Sequence, residues 1–233
     1  SSRLSKLSAS FVMLIFLFAP MGYAASAKGL YKQGNASYRN GQYDKAISDY
    51  SKAIELNPKD YKAYNNRGNA YRANGDLDNA IADYTKAIEL KPKHYRAFNN
   101  RGNVYYDKKD YDKAIEDYTS VIKLKPNHYR AYNNRGNVHY LKEEFDLAYA
   151  DFNIAIELKP KDSYAYYNRG LVYYTEGQFD LAIDDFTRAL ELNPLESEFY
   201  TSRGNAYKGK GDPDKAEADF RKAAEMVSNK TLV

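Results

Sequence analysis

Apolar residues downstream of residue 26 recur at helical spacing, in two stripes separated by a polar turn. Within residues 61–94, Tyr64, Gly68 and Tyr71 fall on one face of a first helix. Ala80, Ile81, Tyr84, Ala87, Ile88 and Leu90 then form the apolar face of a second. Gly75 stands between the stripes, and Gly41, Gly177 and Gly211 occupy equivalent turns elsewhere. Asp212 and Pro213 supply an N-cap and a proline at the first helical position, where a missing N–H breaks no bond. Pro92 ends the second stripe, because proline cannot continue the hydrogen-bond ladder. The pattern predicts a helix, a tight turn, a second helix and a stop.

That pattern is then copied. The strings NNRGNAY, NNRGNVYY, NNRGNVHY, YNRGLVYY and TSRGNAY return at fixed spacing. Gly34, Gly68, Gly102, Gly136, Gly170 and Gly204 are each 34 residues apart, as are Ala46, Ala80, Ala114, Ala148, Ala182 and Ala216. Six units result, 27–60, 61–94, 95–128, 129–162, 163–196 and 197–230, with 231–233 as a tail. The second helix should run from about unit position 17 to 30. A glycine inside a helix costs about 1 kcal/mol relative to alanine. Its recurrence at unit position 8, with alanine at position 20, therefore predicts a close approach of two backbones.

This spacing resembles the tetratricopeptide repeat, whose aromatic and small residues and proline fall at unit positions 4, 8, 11, 20, 24, 27 and 32. Here the second unit has Tyr64, Gly68, Tyr71, Ala80, Tyr84, Ala87 and Pro92. The resemblance covers everything after residue 26. It implies an all-α, right-handed superhelical solenoid of antiparallel helix pairs, with the first helices lining a concave groove. Stability would then be a sum of unit and neighbour terms. Ser37 and His139 replace the position-11 aromatic, Val121 replaces a small residue at position 27, and Ser228 stands where a proline is expected. Glu217 and Ala224 replace the Ile, Tyr or Leu that would face a seventh unit, which reads as an end cap.

At position 7, where the family places a bulky aliphatic, units two to six carry Arg67, Arg101, Arg135, Arg169 and Arg203, and position 23 is Asp in every unit. A half-buried arginine needs a partner, since an unpaired charge there costs several kcal/mol. The expectation is that each arginine pairs with the aspartate of a neighbouring second helix, Arg101 with Asp117 for example.

Opposite the apolar positions, unit positions 2, 6, 9 and 13 share one side of the first helix. The family resemblance makes that side the groove. Position 6 carries Asn66, Asn100, Asn134 and Asn168, and position 9 carries Asn35, Asn69, Asn103, Asn137 and Asn205. Asparagine is a poor helix-interior residue, but its amide both donates to and accepts from an extended peptide backbone. Lys62, Arg96 and Arg130 at position 2 and Tyr106, Tyr140 and Tyr174 at position 12 complete the candidate set. Amides, tyrosines and cations together suit an extended, somewhat acidic polypeptide. A copied but idle Asn would give the same ladder. Asn35, Asn66 and Arg96 match part of the family's carboxylate clamp, but Tyr31 and Asn100 stand where two of its cations belong.

The composition narrows the function classes. No cysteine among 233 residues excludes disulfides, thiolate metal sites and a lipid-bearing cysteine. A mean hydropathy of −0.77 excludes a multi-span membrane protein. A net charge of +4 makes no electrostatic case for nucleic acid. Arg3 and Lys6, the apolar run from Phe11 to Ala19 and the stretch Ala24-Ala25-Ser26-Ala27 follow in the order of a signal peptide, cleaved after Ala24, Ala25 or Ala27 or retained as a signal anchor. Either form predicts export to the periplasm or the cell exterior, with membrane contact only through residues 1–26 if uncleaved. His94 and His128 fall in the same inter-unit turn, a solvated or helix-start position, and no two histidines have ligand spacing on one helix. No cofactor, metal or catalytic set is predicted. The reading is a non-enzymatic scaffold or adaptor for a protein partner. The alternatives are the recognition part of a larger glycosyltransferase, secretion, pilus or exopolysaccharide machine, and self-association through the ends or tyrosine-rich faces.

Overall fold

The computed structural model describes residues 26–230. The expected leader and tail lie outside that range, apart from Ser26, whose hydroxyl caps the first helix through the Gly29 N–H at 3.1 Å. Twelve helices form six antiparallel pairs: α1 (Ala27–Arg39) with α2 (Tyr43–Leu56), α3 (Tyr61–Ala73) with α4 (Leu77–Leu90), α5 (Tyr95–Asp107) with α6 (Tyr111–Leu124), α7 (Tyr129–Leu141) with α8 (Phe145–Leu158), α9 (Ser163–Thr175) with α10 (Phe179–Leu192), and α11 (Ser197–Lys210) with α12 (Pro213–Lys230). The result is an all-α solenoid of helix pairs. No helix among the described residues is long and apolar enough to cross a membrane. Proline follows each of the five 14-residue second helices; α12, with Ser228 instead, runs on to 18 residues.

The core lies between the units. Buried Tyr84 and Ala80 of α4 meet Val104 of α5, and Phe152 and Ala148 of α8 meet Val172 of α9. Position 10, which carries Val104 and Val172, had no place in the pattern read from a single unit. A lone helix pair covers only one side of its position-24 ring, so neighbours stabilise each other. The position-8 glycines admit that ring more than they admit a second backbone. A methyl group on Gly68 would lie 2.8 Å from Tyr84 Cε1. The turns inside the pairs need a left-handed residue, supplied by Gly41, Gly75, Gly177 and Gly211, and by Lys109 (φ 60°) and Glu143 (φ 59°) in the third and fourth pairs.

The arginines pair as expected and do more. Arg101 Nε and Nη2 donate to Asp117 Oδ2 and Oδ1 at 2.9 and 2.8 Å, while Nη1 donates to Thr85 Oγ1 of the preceding pair at 2.9 Å. The same three bonds recur at Arg67, Arg135, Arg169 and Arg203, with Ser51, Thr119, Asn153 and Thr187 as the upstream acceptors. Each guanidinium thus ties two second helices together. The position-4 and position-11 rings are half-buried and flank it, Tyr64 and Tyr71 lying 5.6 and 5.8 Å from Arg67. They are ring walls around a cation, where the sequence pattern had suggested plain apolar core. In the first pair Asp49 accepts from Ser37 Oγ at 3.1 Å, so the missing arginine and the missing aromatic compensate each other. In the fourth pair buried His139 replaces the ring and its Nδ1 lies 2.6 Å from Glu144.

Candidate binding groove

First helices touch the next first helix directly at α1–α3, α3–α5, α7–α9 and α9–α11, whereas no two second helices make comparable contact. The first helices therefore form the inner side of the curve, and positions 2, 6, 9 and 12 lie along it.

The asparagine ladder is wired across the pairs. Asn69 Oδ1 accepts from the Tyr84 hydroxyl at 2.8 Å and from Asn100 Nδ2 at 3.0 Å. Asn35 accepts in the same way from Tyr50 and Asn66, and Asn103 from Tyr118 and Asn134. Burial pushes the hydroxyls of Tyr50, Tyr84 and Tyr118 well above the ordinary phenol range, so they remain proton donors. Within the described residues, Asn35, Asn69 and Asn103 keep both Nδ2 hydrogens unused by these bonds. That leaves a row of outward amide donors rather than a ladder of free amides.

The wiring stops in the fourth pair. Phe152 replaces the position-24 tyrosine, so Asn137 receives no hydroxyl, and Asn168 donates instead to Asn133 at 3.1 Å. Position 9 of the fifth pair is Leu171 and position 2 turns to Tyr164 and Glu198. The groove thus divides into a polar, cationic stretch and a more apolar one. The change from Tyr to Phe at position 24 signals this in the sequence, but only once that ring is known to reach the groove.

Two recesses open along the polar stretch. One, of about 460 Å³, lies between α1 and α3 and is lined by Asn35, Tyr38, Arg39, Tyr50, Asn66, Asn69 and Lys32. The other, about 340 Å³, is lined by Arg72, Asn103, Tyr106, Asp107, Tyr118, Asn134 and Asn137. Tyr106 and Tyr174 are exposed, while Tyr140 is half-buried and bonds the Thr175 hydroxyl at 3.1 Å. Each position-12 ring leans on the position-17 ring of its own pair, as Tyr106 does on Tyr111 at 6.3 Å and Tyr174 on Phe179 at 5.8 Å. This backing was not visible from spacing alone, and it holds the rings in place. Lys62, Arg96 and Arg130 are exposed at the rim over Tyr61, Tyr95 and Tyr129, and none forms an ion pair within the described residues. Amide donors, phenol rings and unpaired cations together can hold an extended chain carrying carbonyls and carboxylates.

His94 and His128 sit at helix starts but are half-buried, their rings edge-on to Tyr61 at 4.8 Å and Tyr95 at 5.5 Å. Burial, with Arg96 and Lys62 nearby, lowers the pKa of His94. Among the described residues no group of three or more His, Asp or Glu is placed to hold a metal ion.

Comparison with known proteins places this geometry. Tetratricopeptide-repeat models match residues 31–95, then 95–128, 129–162 and 163–194, and finally 186–218. The crystal structure of MamA is 31% identical with a TM-score of 0.65, covering 71% of this chain and 97% of that one. YrrB, described as a tetratricopeptide-repeat protein with an unusual peptide-binding site, is 28% identical with a TM-score of 0.62 over 78% of this chain and 94% of its own. A repeat protein from Parabacteroides merdae shares the fold at 23% identity and a TM-score of 0.76, over 86% of this chain and 79% of its own. Among curated proteins, none matches. With repeat models spanning most of its length and these structural neighbours, the chain belongs to the tetratricopeptide-repeat family.

Proposed function

We infer that the chain is an exported, non-enzymatic scaffold whose first-helix face binds an extended, somewhat acidic polypeptide. The observation that carries this is the pair of recesses at which position-9 amides, buried tyrosine hydroxyls and next-unit amides meet in the same arrangement. The hydroxyl and the neighbouring amide saturate each acceptor and turn the donors outward. A partner carbonyl then meets Nδ2 at Asn35, Asn69 and Asn103, while Lys62, Arg96 and Arg130 meet partner carboxylates along the rim. The backed rings of Tyr106, Tyr140 and Tyr174 offer flat surfaces for side chains. YrrB supports the reading because a peptide site is named for that neighbour. The order of basic, apolar and small residues in the leader supports export.

A peptide array of extended 12-residue segments, acidic and charge-inverted, tests this with three proteins: parent, Lys62→Glu/Arg96→Glu/Arg130→Glu, and Asn69→Ala/Asn103→Ala. The parent should prefer acidic segments, the first variant should lose that preference, and the second should weaken binding to all segments. Equal profiles from three proteins of equal melting temperature refute the groove.

A further inference from the structure

The two edges of the solenoid carry different charge economies. At one edge, where the first helix of each pair turns into the second, several cations are matched, Arg39 and Lys109 being exceptions. Lys108 bonds Asp78 and Lys142 bonds Asp112, each at 2.6 Å, and Lys210 bonds Asp180, all across neighbouring pairs. At the other edge, where α2, α4, α6 and α8 end and α3, α5, α7 and α9 begin, the cations of the turns are not matched. Lys59, Lys91, Lys93, Lys125, Lys159 and Lys161 are all exposed there, and none forms an ion pair within the described residues. The acids in these turns are Asp60, Asp162 and Glu196: the first two are occupied as helix caps, accepting from the backbone N–H of Lys62 and Tyr164, and Glu196 accepts from the Tyr164 hydroxyl at 3.2 Å.

The same edge also carries apolar side chains out in solvent. Leu56 is 59% exposed, Tyr164 47% and Leu195 70%. A recess of about 460 Å³ lies beside Tyr164, lined also by Tyr129, Arg130, Asn134, Lys159 and Lys161. An acidic peptide would use the lysines and leave the leucines wet. A lipid headgroup region takes both, since cations meet phosphate while tyrosine and leucine reach the acyl boundary. All first helices begin at this edge, α1 included, and the apolar run ending at Ala19 is eight residues from Ala27. Eight residues span at most about 28 Å. A run held in a bilayer would therefore keep this edge close to the surface.

We propose that the edge formed by the inter-pair turns from Lys59 to Leu195 docks on an anionic bilayer surface. The surface adjoins the groove rim at Arg130, and its test leaves Lys62, Arg96 and Arg130 unchanged so that the two sites are read separately. The full chain is co-sedimented with vesicles of phosphatidylcholine alone and of phosphatidylcholine with 30% phosphatidylglycerol, at low and high salt. The apolar run acts on both vesicle types alike, so the difference between them reports the edge. Binding to the anionic vesicles should be stronger and should fall with salt. Each lysine removed should cost about fivefold in partitioning. Lys59→Glu/Lys93→Glu/Lys125→Glu/Lys161→Glu should therefore bind both vesicle types equally, with its helical circular dichroism unchanged. Leu195→Glu should weaken anionic-vesicle binding even at high salt. A quadruple variant that partitions like the parent overturns the proposal. So does a parent that binds soluble polyglutamate while showing no preference for anionic vesicles, which would assign the edge to an acidic protein.

Discussion

Removing the carboxylate of Asp117 is the sharpest test of how the units are joined. Asp117 is 3% exposed and takes two hydrogen bonds from Arg101, whose side chain is 18% exposed and walled by Phe98 and Tyr105. Asp117→Ala leaves the guanidinium in place with Nε and Nη2 unpaired and little water to replace the lost oxygens. Breaking one partner of such a pair costs about 3–5 kcal/mol. At about 2–4 °C per kcal/mol for a chain of this size, the melting temperature should fall by roughly 10 °C. Thr85→Val removes only the third acceptor and should cost about 1–2 kcal/mol. Arg101→Met/Asp117→Leu removes both charges together and should lie near the parent, because the desolvation of the ions vanishes with their attraction. Thermal melts followed by circular dichroism give the order, and hydrogen exchange at α4 to α6 locates the effect, since solenoids need not unfold as one block. An Asp117→Ala protein that melts within about 1 °C of the parent refutes the reasoning. A double variant as damaged as Asp117→Ala would show that the pair acts through shape and not through charge.

Three further outcomes follow from the geometry. Gly68→Ala places a methyl 2.8 Å from the ring of fully buried Tyr84, so the overpacking cost of about 1–3 kcal/mol should exceed the gain of about 1 kcal/mol in helix propensity; a raised urea midpoint would contradict this. Lys109→Gly and Glu143→Gly relieve left-handed backbone at exposed turns and should each stabilise by about 1 kcal/mol, which a lowered midpoint would exclude. Burial raises the folded-state pKa of Tyr50, Tyr84 and Tyr118 above the unfolded value near 10, so their contribution is complete below pH 10 and is lost as pH rises above it. Each should add about 1.4 kcal/mol per pH unit to the loss. Unfolding and tyrosinate absorbance should rise together, and full ionisation of the folded chain would refute the assignment.

The helices, their turns and the repeat were legible because the period of 34 leaves one reading of Gly68, Ala80 and Pro92. The Arg101–Asp117 pair was legible for a physical reason, since a charge at a half-buried position must be met. Its third partner, Thr85, was not, because a hydroxyl at position 25 looks like ordinary solvent-facing surface until the next pair is laid beside it. The asparagines were found as a row, but their wiring was hidden. The bonds from Tyr84 and Asn100 to Asn69 span 15 and 31 residues and depend on how one pair sits on the next. The same gap hid position 10, whose Val104 is core only in the neighbour's company.

The guanidinium ties bear on mechanics. A coil of helix pairs joined only by apolar contact can slide and lengthen at small cost, because dispersion contacts are short-ranged but not directional. Here each of the five junctions carries a planar fork with three bonds of set direction, so changing the pitch means bending several charge-assisted bonds at once. The coil should therefore be stiff against stretching, holding its curvature whether or not a partner is bound. Pulled at both ends, it should resist extension up to the force that breaks a fork and then give way junction by junction, behaving as a template of fixed radius more than as a spring.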